Sequence, residues 1–248
     1  MELVKGVVLA GGRATRLRPL TLVTNKHLLP VYRKPMIFYA LEAMARAGIR
    51  DVLLITNPQH AGQFMDLLGT GEEFGLRITY ELQKDATGGI SQAIGLAESF
   101  AKGSKVLVLL GDNIFTHDLG EAVKKFRKQS QGAKIFATEV EHPEHYGVVE
   151  LDDRKVVSVV EKPARPKSRL AQTGIYLYDE RVFDFIKQLK PSKRGELEVT
   201  DLNNRYLADG SLECEVMDGY WIDAGTSHDE LLAAGTEVAR LVKERKLD

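Results

Sequence analysis

With 248 residues, 44% of them hydrophobic and 28% charged, the chain has the composition of a globular protein large enough to build a full core without disulfides or a structural metal. A formal net charge of -1 leaves no basic footprint of the kind duplex nucleic acid demands, so nucleic acid is not an expected partner. The single cysteine, Cys214, excludes an internal disulfide and a cysteine-based zinc site, fits a reducing compartment, and reads as a small apolar strand residue rather than a nucleophile.

The apolar run 1–10 carries Glu2 and Lys5, too short and too charged for a signal peptide. No run of about 18 apolar residues follows it, so no membrane partner is expected and the cytoplasm is the default location. Residues 6–10 (GVVLA) predict a buried strand. Residues 36–47 set Ile37, Leu41, Met44 and Ala45 on one helical face, with Pro35 at the first turn and Gly48 at the end. A strand over 52–56, a helix over 61–68, a strand over 79–82, a helix over 90–100 and an all-apolar strand over 106–110 come next. Strands apolar on both faces and separated by helices make a parallel sheet covered by helices.

The second half is richer in strands: 135–140, 147–151, 156–161 and 174–178, then helices over 179–189 and 199–208, a strand over 212–217 and a polar-faced helix over 227–242. No linker, repeat or low-complexity stretch interrupts it. The expected fold class is α/β, a Rossmann-like mixed and mainly parallel sheet flanked by helices, with a smaller β-rich portion.

Leu9-Ala10-Gly11-Gly12-Arg13-Ala14-Thr15-Arg16-Leu17 follows the first strand directly. Ligands of open α/β sheets sit at the carboxyl ends of strands, and glycines there let backbone N–H groups approach phosphate oxygens. Arg16 adds a permanent planar charge that matches phosphate. A tight strand-to-helix turn with surface arginines explains the loop alone equally well. It is neither a P-loop nor the dinucleotide fingerprint, because both spacings fail.

Gly111-Asp112-Asn113 ends the strand over 106–110, which puts Asp112 at the same end of the sheet. Trp221-Ile222-Asp223-Ala224-Gly225-Thr226 supplies a second aspartate. Two carboxylates converging on a triphosphate hold Mg²⁺. The alternatives are a turn residue or helix cap at Asp112 and an N-cap of the last helix at Asp223. Gln83 precedes Thr87-Gly88-Gly89-Ile90-Ser91-Gln92. Its amide donates and accepts at once, as a pyrimidine edge requires. Glu161 suits sugar hydroxyls and Lys162 a phosphate, with Pro163 stopping the strand. A surface ion pair at a strand end is the plain alternative.

Leu-Ala-Gly-Gly-x-x-Thr-Arg-Leu, then Asn25-Lys26-His27-Leu28-Leu29-Pro30 and Lys34-Pro35-Met36, resembles the sugar nucleotidyltransferases, most of all their thymidylyltransferase branch. The resemblance continues through Gly-Asp-Asn, Tyr146-Gly147-Val148-Val149, Val160-Glu161-Lys162-Pro163, Thr173-Gly174-Ile175-Tyr176, Arg194-Gly195-Glu196-Leu197-Glu198 and Trp-x-Asp-x-Gly-Thr. It runs from Gly6 to about Thr226, in order and with the correct gaps.

The resemblance implies a nucleotide site at Leu9, Ala10, Gly11, Gly12, Gln83, Gly88 and Gly89, and catalytic charges at Arg16, Lys26 and Lys162. It implies Mg²⁺ on Asp112 and Asp223. A sugar-phosphate site is implied at Tyr146, Gly147, Glu161, Lys162, Gln172, Tyr176 and Arg194. It further implies a single domain over 1–248, with a nucleotide-binding part over about 1–130, a sugar-phosphate-binding part over about 131–226 and a C-terminal helix over 227–248.

Three departures stand out. Ala14 replaces a frequent glycine, at a cost on the order of 1 kcal/mol if that position needs positive φ. The segment 83–92 is one residue longer, which leaves open whether Gly88 or Gly89 meets the base. Gln172 replaces a valine, at a place that bears on sugar selectivity. The chain also ends soon after the Asp223 motif, so regulation tied to longer C-terminal helices is expected to be altered or absent.

The implied reaction joins dTTP to α-D-glucose 1-phosphate, giving dTDP-glucose and pyrophosphate. UTP or another sugar phosphate is the runner-up. A catalytically silent regulatory homologue should have lost a metal aspartate, Arg16 or Lys162, and none is lost. A nicotinamide oxidoreductase lacks its fingerprint here. A homo-oligomer stays open.

Overall fold

The apolar runs of the first half form strands laid side by side in one direction: Val4–Ala10 beside Asp51–Thr56, with Gly6 opposite Val52 and Ala10 opposite Thr56, and Asp51–Thr56 beside Arg77–Leu82. The computed structural model describes residues 3–85 and 87–247. Its contacts gather into two units, one of Gly6–Ala86, Leu109–Glu121 and Gly219–Asp248, the other of Met1–Lys5, Thr87–Val108 and Ala122–Asp218. Met1 and Asp248, the ends of the expected single domain, lie outside the described residues.

In the first unit the parallel strands carry the glycine loop at their carboxyl end. Helix Met36–Arg46 buries Ile37, Leu41 and Met44 of the predicted face, together with Tyr39, Ala40 and Ala43, while Ala45 is only half-buried. It closes at Gly48, whose φ of +74° suits glycine. Helix Ala61–Leu68 falls where expected. A short antiparallel ribbon, Asn113–Phe115 against Trp221–Asp223, was not legible in the sequence, since three residues carry no periodicity. The last helix, His228–Lys243, is capped by Ser227, whose hydroxyl accepts from Glu230 N at 3.1 Å. It buries Ala234, Val238 and Leu241 in one cluster with Val31, Met36, Tyr39 and Ile114.

The second unit is β-rich. Lys155–Glu161 pairs antiparallel with Gly147–Asp152, which meets Leu170–Tyr178; the latter pairs antiparallel with Ala133–Glu139, and Leu212–Val216 runs parallel to that strand. Leu170–Tyr178 starts earlier than the predicted strand, so Gln172 and Thr173 are buried strand residues. The single helix expected over 90–100 is two, Gly89–Gly95 and Glu98–Ala101. Past Gly95, Leu96 N and Ala97 N bond to the carbonyls of Ala93 and Ile94, three residues back, and the α-helical ladder is lost. The helix expected over 179–189 is shorter, Val182–Gln188, while Val199–Ala208 matches its prediction.

The fold class is therefore the one expected: mixed α/β, with a mainly parallel sheet flanked by helices and a smaller β-rich portion. No helix among the described residues is long and apolar enough to cross a membrane.

Candidate active site

The glycine-loop unit assembles a compact ionic centre. The Ala10 carbonyl, last in its strand, accepts from Asn25 Nδ2 at 3.0 Å and Thr56 Oγ1 at 3.2 Å. Asn25 in turn accepts from His27 N at 2.9 Å through its own carbonyl oxygen, an Asx-type turn that fixes the backbone around Lys26. His27 Nδ1 lies 2.7 Å from the same Asn25 oxygen. Burial first, then the Lys26 charge, pushes His27 down to about 3, so it is neutral near pH 7. Asn25 is nearly fully buried. The resemblance gave it no role, although an asparagine opening a short turn was a readable signal.

Lys26 Nζ forms an ion pair with Asp112 Oδ2, with side-chain exposures of 18% and 7%. Burial works against the Lys26 charge, but Asp112 and then Asp223 hold its ammonium above the ordinary lysine value. Burial likewise opposes ionisation of Asp112, yet Lys26 holds that carboxyl well below the usual carboxylate range. Asp223 moves the other way: burial, then the charge on Asp112, pushes its carboxyl up.

The short ribbon brings the aspartates together by setting Asp223 opposite Asn113. Ala224 N donates to the Asp112 carbonyl at 3.0 Å. Asn113 Nδ2 donates to Asp112 Oδ1 at 3.1 Å, and its Oδ1 accepts from Trp221 Nε1 at 2.8 Å. Gly225 must be glycine, because a Cβ would lie 2.6 Å from both Asp112 Oδ2 and Lys26 Nζ. Asp223 accepts from Gly225 N at 3.1 Å and does not cap the last helix, which Ser227 does.

A buried carboxylate paired with Lys26 and a half-buried one thus sit beside one ammonium. Among the described residues no group of three or more His, Cys, Asp or Glu could hold a metal ion. The donor set is a pair of hard oxygen ligands with charge left over, which fits a Mg²⁺ whose remaining positions are filled by phosphates and water.

Around this centre Gly12 has φ +84°. Ala14 takes φ +45°, so the position does need the left-handed region and the alanine there is strained. Arg16 is exposed in the turn Thr15–Leu17, and its charge is felt at Lys26. Gln83 is buried, with its N–H on the Thr56 carbonyl at 2.8 Å. A Cβ on Gly11 would lie 2.5 Å from Gln83 Oε1, so the two pack face to face. The side chains of Leu9 and Ala10 are buried, which leaves only their backbone for any ligand.

The β-rich unit gathers the other predicted residues. Glu161 ends its strand opposite Gly147. Its Oε2 accepts from Thr200 Oγ1 at 2.6 Å and its Oε1 lies 3.3 Å from Arg194. Arg194 also binds Glu198 at 2.7 Å, and Glu198 first, with Glu196 and Glu161, raises its already high value. Lys162 is exposed with φ +42°, a conformation rare outside glycine, and its N–H donates to the Tyr146 carbonyl at 3.0 Å. Tyr176 is buried and its ring stacks on Tyr178 at 5.9 Å between centroids. Gly88 accepts from Leu197 N at 3.0 Å, and a Cβ on Gly89 would lie 2.7 Å from the Leu197 carbonyl. Both glycines thus pack on one stretch of backbone. Thr200 and Asn203 were missed because, at i and i+3 of a helix, they read as ordinary polar positions; both are buried.

A glycine loop at the carboxyl end of parallel strands, with a lysine and two aspartates beside it, defines a phosphate-handling α/β protein. Residues 5–240 match the Nucleotidyl transferase family model, and the chain belongs to that family, an enzyme of nucleotidyl transfer. It is 47% identical to a glucose-1-phosphate thymidylyltransferase of Neisseria meningitidis over 95% of this chain and 82% of the relative. A glucose-1-phosphate thymidylyltransferase of Mycolicibacterium smegmatis is 44% identical over 98% of this chain and 84% of its own length. A crystal structure from Bacillus anthracis, assigned as a glucose-1-phosphate thymidylyltransferase and bound to sucrose, superposes with a TM-score of 0.90 at 49% identity, covering 94% of each chain. A UDP-glucose pyrophosphorylase bound to UDP-glucose shares the fold, with a TM-score of 0.85 at 24% identity over 96% of this chain and 99% of that one.

Proposed function

We propose that this protein transfers a thymidylyl group from dTTP to α-D-glucose 1-phosphate, giving dTDP-glucose and pyrophosphate in a Mg²⁺-dependent reaction. The observation that carries the reading is the buried Lys26–Asp112 ion pair with Asp223 beside it, at the glycine loop. The names of the 44–47% identical relatives support the choice of substrates. The whole chain, 1–248, acts as one nucleotidyltransferase domain in this reading. The absence of a membrane-length apolar helix among the described residues is compatible with work in the cytoplasm.

The chemistry is an in-line displacement. An oxygen of the sugar 1-phosphate attacks the α-phosphorus, the bond to the bridging oxygen breaks, and its electron pair leaves with pyrophosphate. Such transfers depend on positioning and charge more than on covalent catalysis. Arg16 holds the β- and γ-phosphates and, with the Lys26 charge nearby, stabilises the charge that develops on pyrophosphate. Lys162 and Arg194 align the attacking phosphate, and Glu161 accepts from sugar hydroxyls beside Tyr146, Gly147 and Tyr176. Gln83, with Gly88 or Gly89, reads the pyrimidine. Asp112 and Asp223 would hold Mg²⁺, which when bound neutralises charge on the α-phosphate. The attacking phosphate oxygen is ionised near neutral pH, so no general base is needed.

Pyrophosphate release with Mg²⁺, glucose 1-phosphate and either dTTP or UTP in parallel tests this. Release with dTTP at the higher kcat/KM is expected. A strong preference for UTP would make the protein a uridylyltransferase, and silence with every sugar phosphate tried would favour a nucleotide-sugar-binding regulator.

A further inference from the structure

Helix Val199–Ala208 turns a polar face into the β-rich unit, with Thr200 and Asn203 at 2% and 0% exposure. Buried polar groups at i and i+3 are retained only where each finds a partner. Thr200 finds Glu161, and Asn203 finds two: its Oδ1 accepts from Tyr178 OH at 2.6 Å, and its Nδ2 donates to Gln172 Oε1 at 2.7 Å.

The direction of this relay is set at its far end. Tyr178 is fully buried, and its phenol proton has the Asn203 amide oxygen as its acceptor. Reversing the Asn203 amide would leave that proton buried without a partner, which costs more than a hydrogen bond gains. With Asn203 Nδ2 thereby on Gln172 Oε1, the Gln172 amide is fixed with its Nε2 outward. Gln172 is 93% buried by its 7% exposure, and among the described residues no hydrogen bond uses that Nε2.

The outward nitrogen faces a small polar ring. Around the place where a Gly147 side chain would begin, Thr200 Oγ1 lies at 3.2 Å, Gln172 Nε2 at 3.4 Å and Glu161 Oε2 at 3.5 Å. One wall donates and the opposite wall is a carboxylate. A neutral hydroxyl satisfies both at once, accepting from Gln172 and donating to Glu161. A deoxy carbon satisfies neither, and an ammonium has no lone pair for Gln172.

We propose that Gln172, oriented by Asn203 and Tyr178, is a specificity-determining donor that restricts the acceptor substrate to hexose 1-phosphates carrying a neutral hydroxyl at the position against Gly147. This rests on the reading of the cluster as the sugar-phosphate site. Asn203 and Tyr178 are positioning residues; of the three, only Gln172 touches the sugar.

The test is steady-state kinetics of the full chain with glucose 1-phosphate and its 2-, 3-, 4- and 6-deoxy analogues, for wild type, Gln172→Leu and Tyr178→Phe. One deoxy analogue is expected to lose at least about tenfold in kcat/KM with wild type, as a site built to hydrogen-bond a hydroxyl rejects its absence. Gln172→Leu should lose a similar factor for glucose 1-phosphate and no longer distinguish that analogue, with KM for dTTP unchanged. Tyr178→Phe keeps the stacked rings and should weaken the same discrimination severalfold; it carries the test if the leucine variant does not fold. Discrimination unchanged in Gln172→Leu, or in Tyr178→Phe where that variant must serve, overturns the proposal while leaving the site reading intact. Wild type inactive with every sugar 1-phosphate overturns both.

Discussion

The two ionic clusters use the same residue types under opposite conditions. In the glycine-loop unit Lys26 and Asp112 are 18% and 7% exposed, and each charge of that pair is answered by the other. In the β-rich unit Arg194 is 46% exposed and touches three glutamates, Glu161 and Glu196 at 29% and 39% exposure and the more buried Glu198 at 10%. A buried pair costs desolvation of both ions, so losing one partner strands the other. A screened surface cluster loses little when one member goes. The first cluster is therefore part of the structure as well as of the proposed chemistry, whereas the more exposed Arg194 is free to serve the proposed ligand.

Lys26→Met should break this contrast hardest. It leaves Asp112 and Asp223 buried without their cation, at about 3–5 kcal/mol of stability. Pyrophosphate release should fall by at least about 10²-fold, the scale of losing one preorganised charge. Urea unfolding alongside kcat/KM checks both. A Lys26→Met variant as stable as wild type would mean that the buried cluster is not structural.

The same burial gives the glycine-loop unit a pH signature. His27 is held down to about 3 against an ordinary 6.5, by burial first and then by Lys26. Between those values the unfolded chain binds a proton that the folded protein does not. The stability due to a neutral His27 is thus full above pH 6.5 and lost as pH falls toward 3, with a slope of up to roughly 1.4 kcal/mol per pH unit. His27→Gln should flatten this slope between pH 4.5 and 6.5, measured as the difference in unfolding free energy. Parallel curves for the two proteins would refute it.

Much of this was legible in the sequence, and what was hidden has a physical pattern. Long apolar runs announced their strands, and helix 36–47 showed its buried face through the 3.6-residue period. The glycine loop and both aspartates were visible as motifs. The meeting of Asp112 with Asp223 was implied by the resemblance, but the devices that bring it about were not: a ribbon of three-residue strands, and Gly225, whose need for close approach appears only in three dimensions. The partners of Asn113, Thr200 and Asn203 were equally silent, whereas Asn25 could be read as a turn-opening residue. Each acts by holding another side chain through hydrogen bonds, and a polar residue in a turn or on a helix carries no mark of its partner. The helix expected over 90–100 failed for a local reason, since an apolar spacing continues past Gly95 while the backbone ladder does not.

On the exposed side of the comparison, Arg194→Gln should shift stability by less than about 1 kcal/mol, the usual worth of a surface ion pair. Its effect should appear in catalysis instead, as a rise of about tenfold in KM for the sugar phosphate with KM for dTTP unchanged, in line with losing a charge-assisted contact. A stability loss as large as that of Lys26→Met would erase the distinction between the clusters.

The smallest effect sharpens the comparison within the glycine loop itself. Ala14 holds φ +45° and ψ +41°, and its carbonyl accepts from Leu17 N at 3.1 Å and Thr21 Oγ1 at 2.8 Å. Those bonds keep the alanine in a left-handed conformation that costs an L-residue roughly 1–2 kcal/mol. Glycine removes that strain but gives the unfolded chain more freedom, which offsets up to about 1 kcal/mol. The net expected for Ala14→Gly is a gain of about 0.5 kcal/mol, read as a small rise in unfolding midpoint, with pyrophosphate release within about twofold of wild type because the backbone N–H is retained. A loss of stability would mean that the loop relaxes around alanine without strain. The position would then owe its left-handed turn to the Leu17 and Thr21 bonds alone.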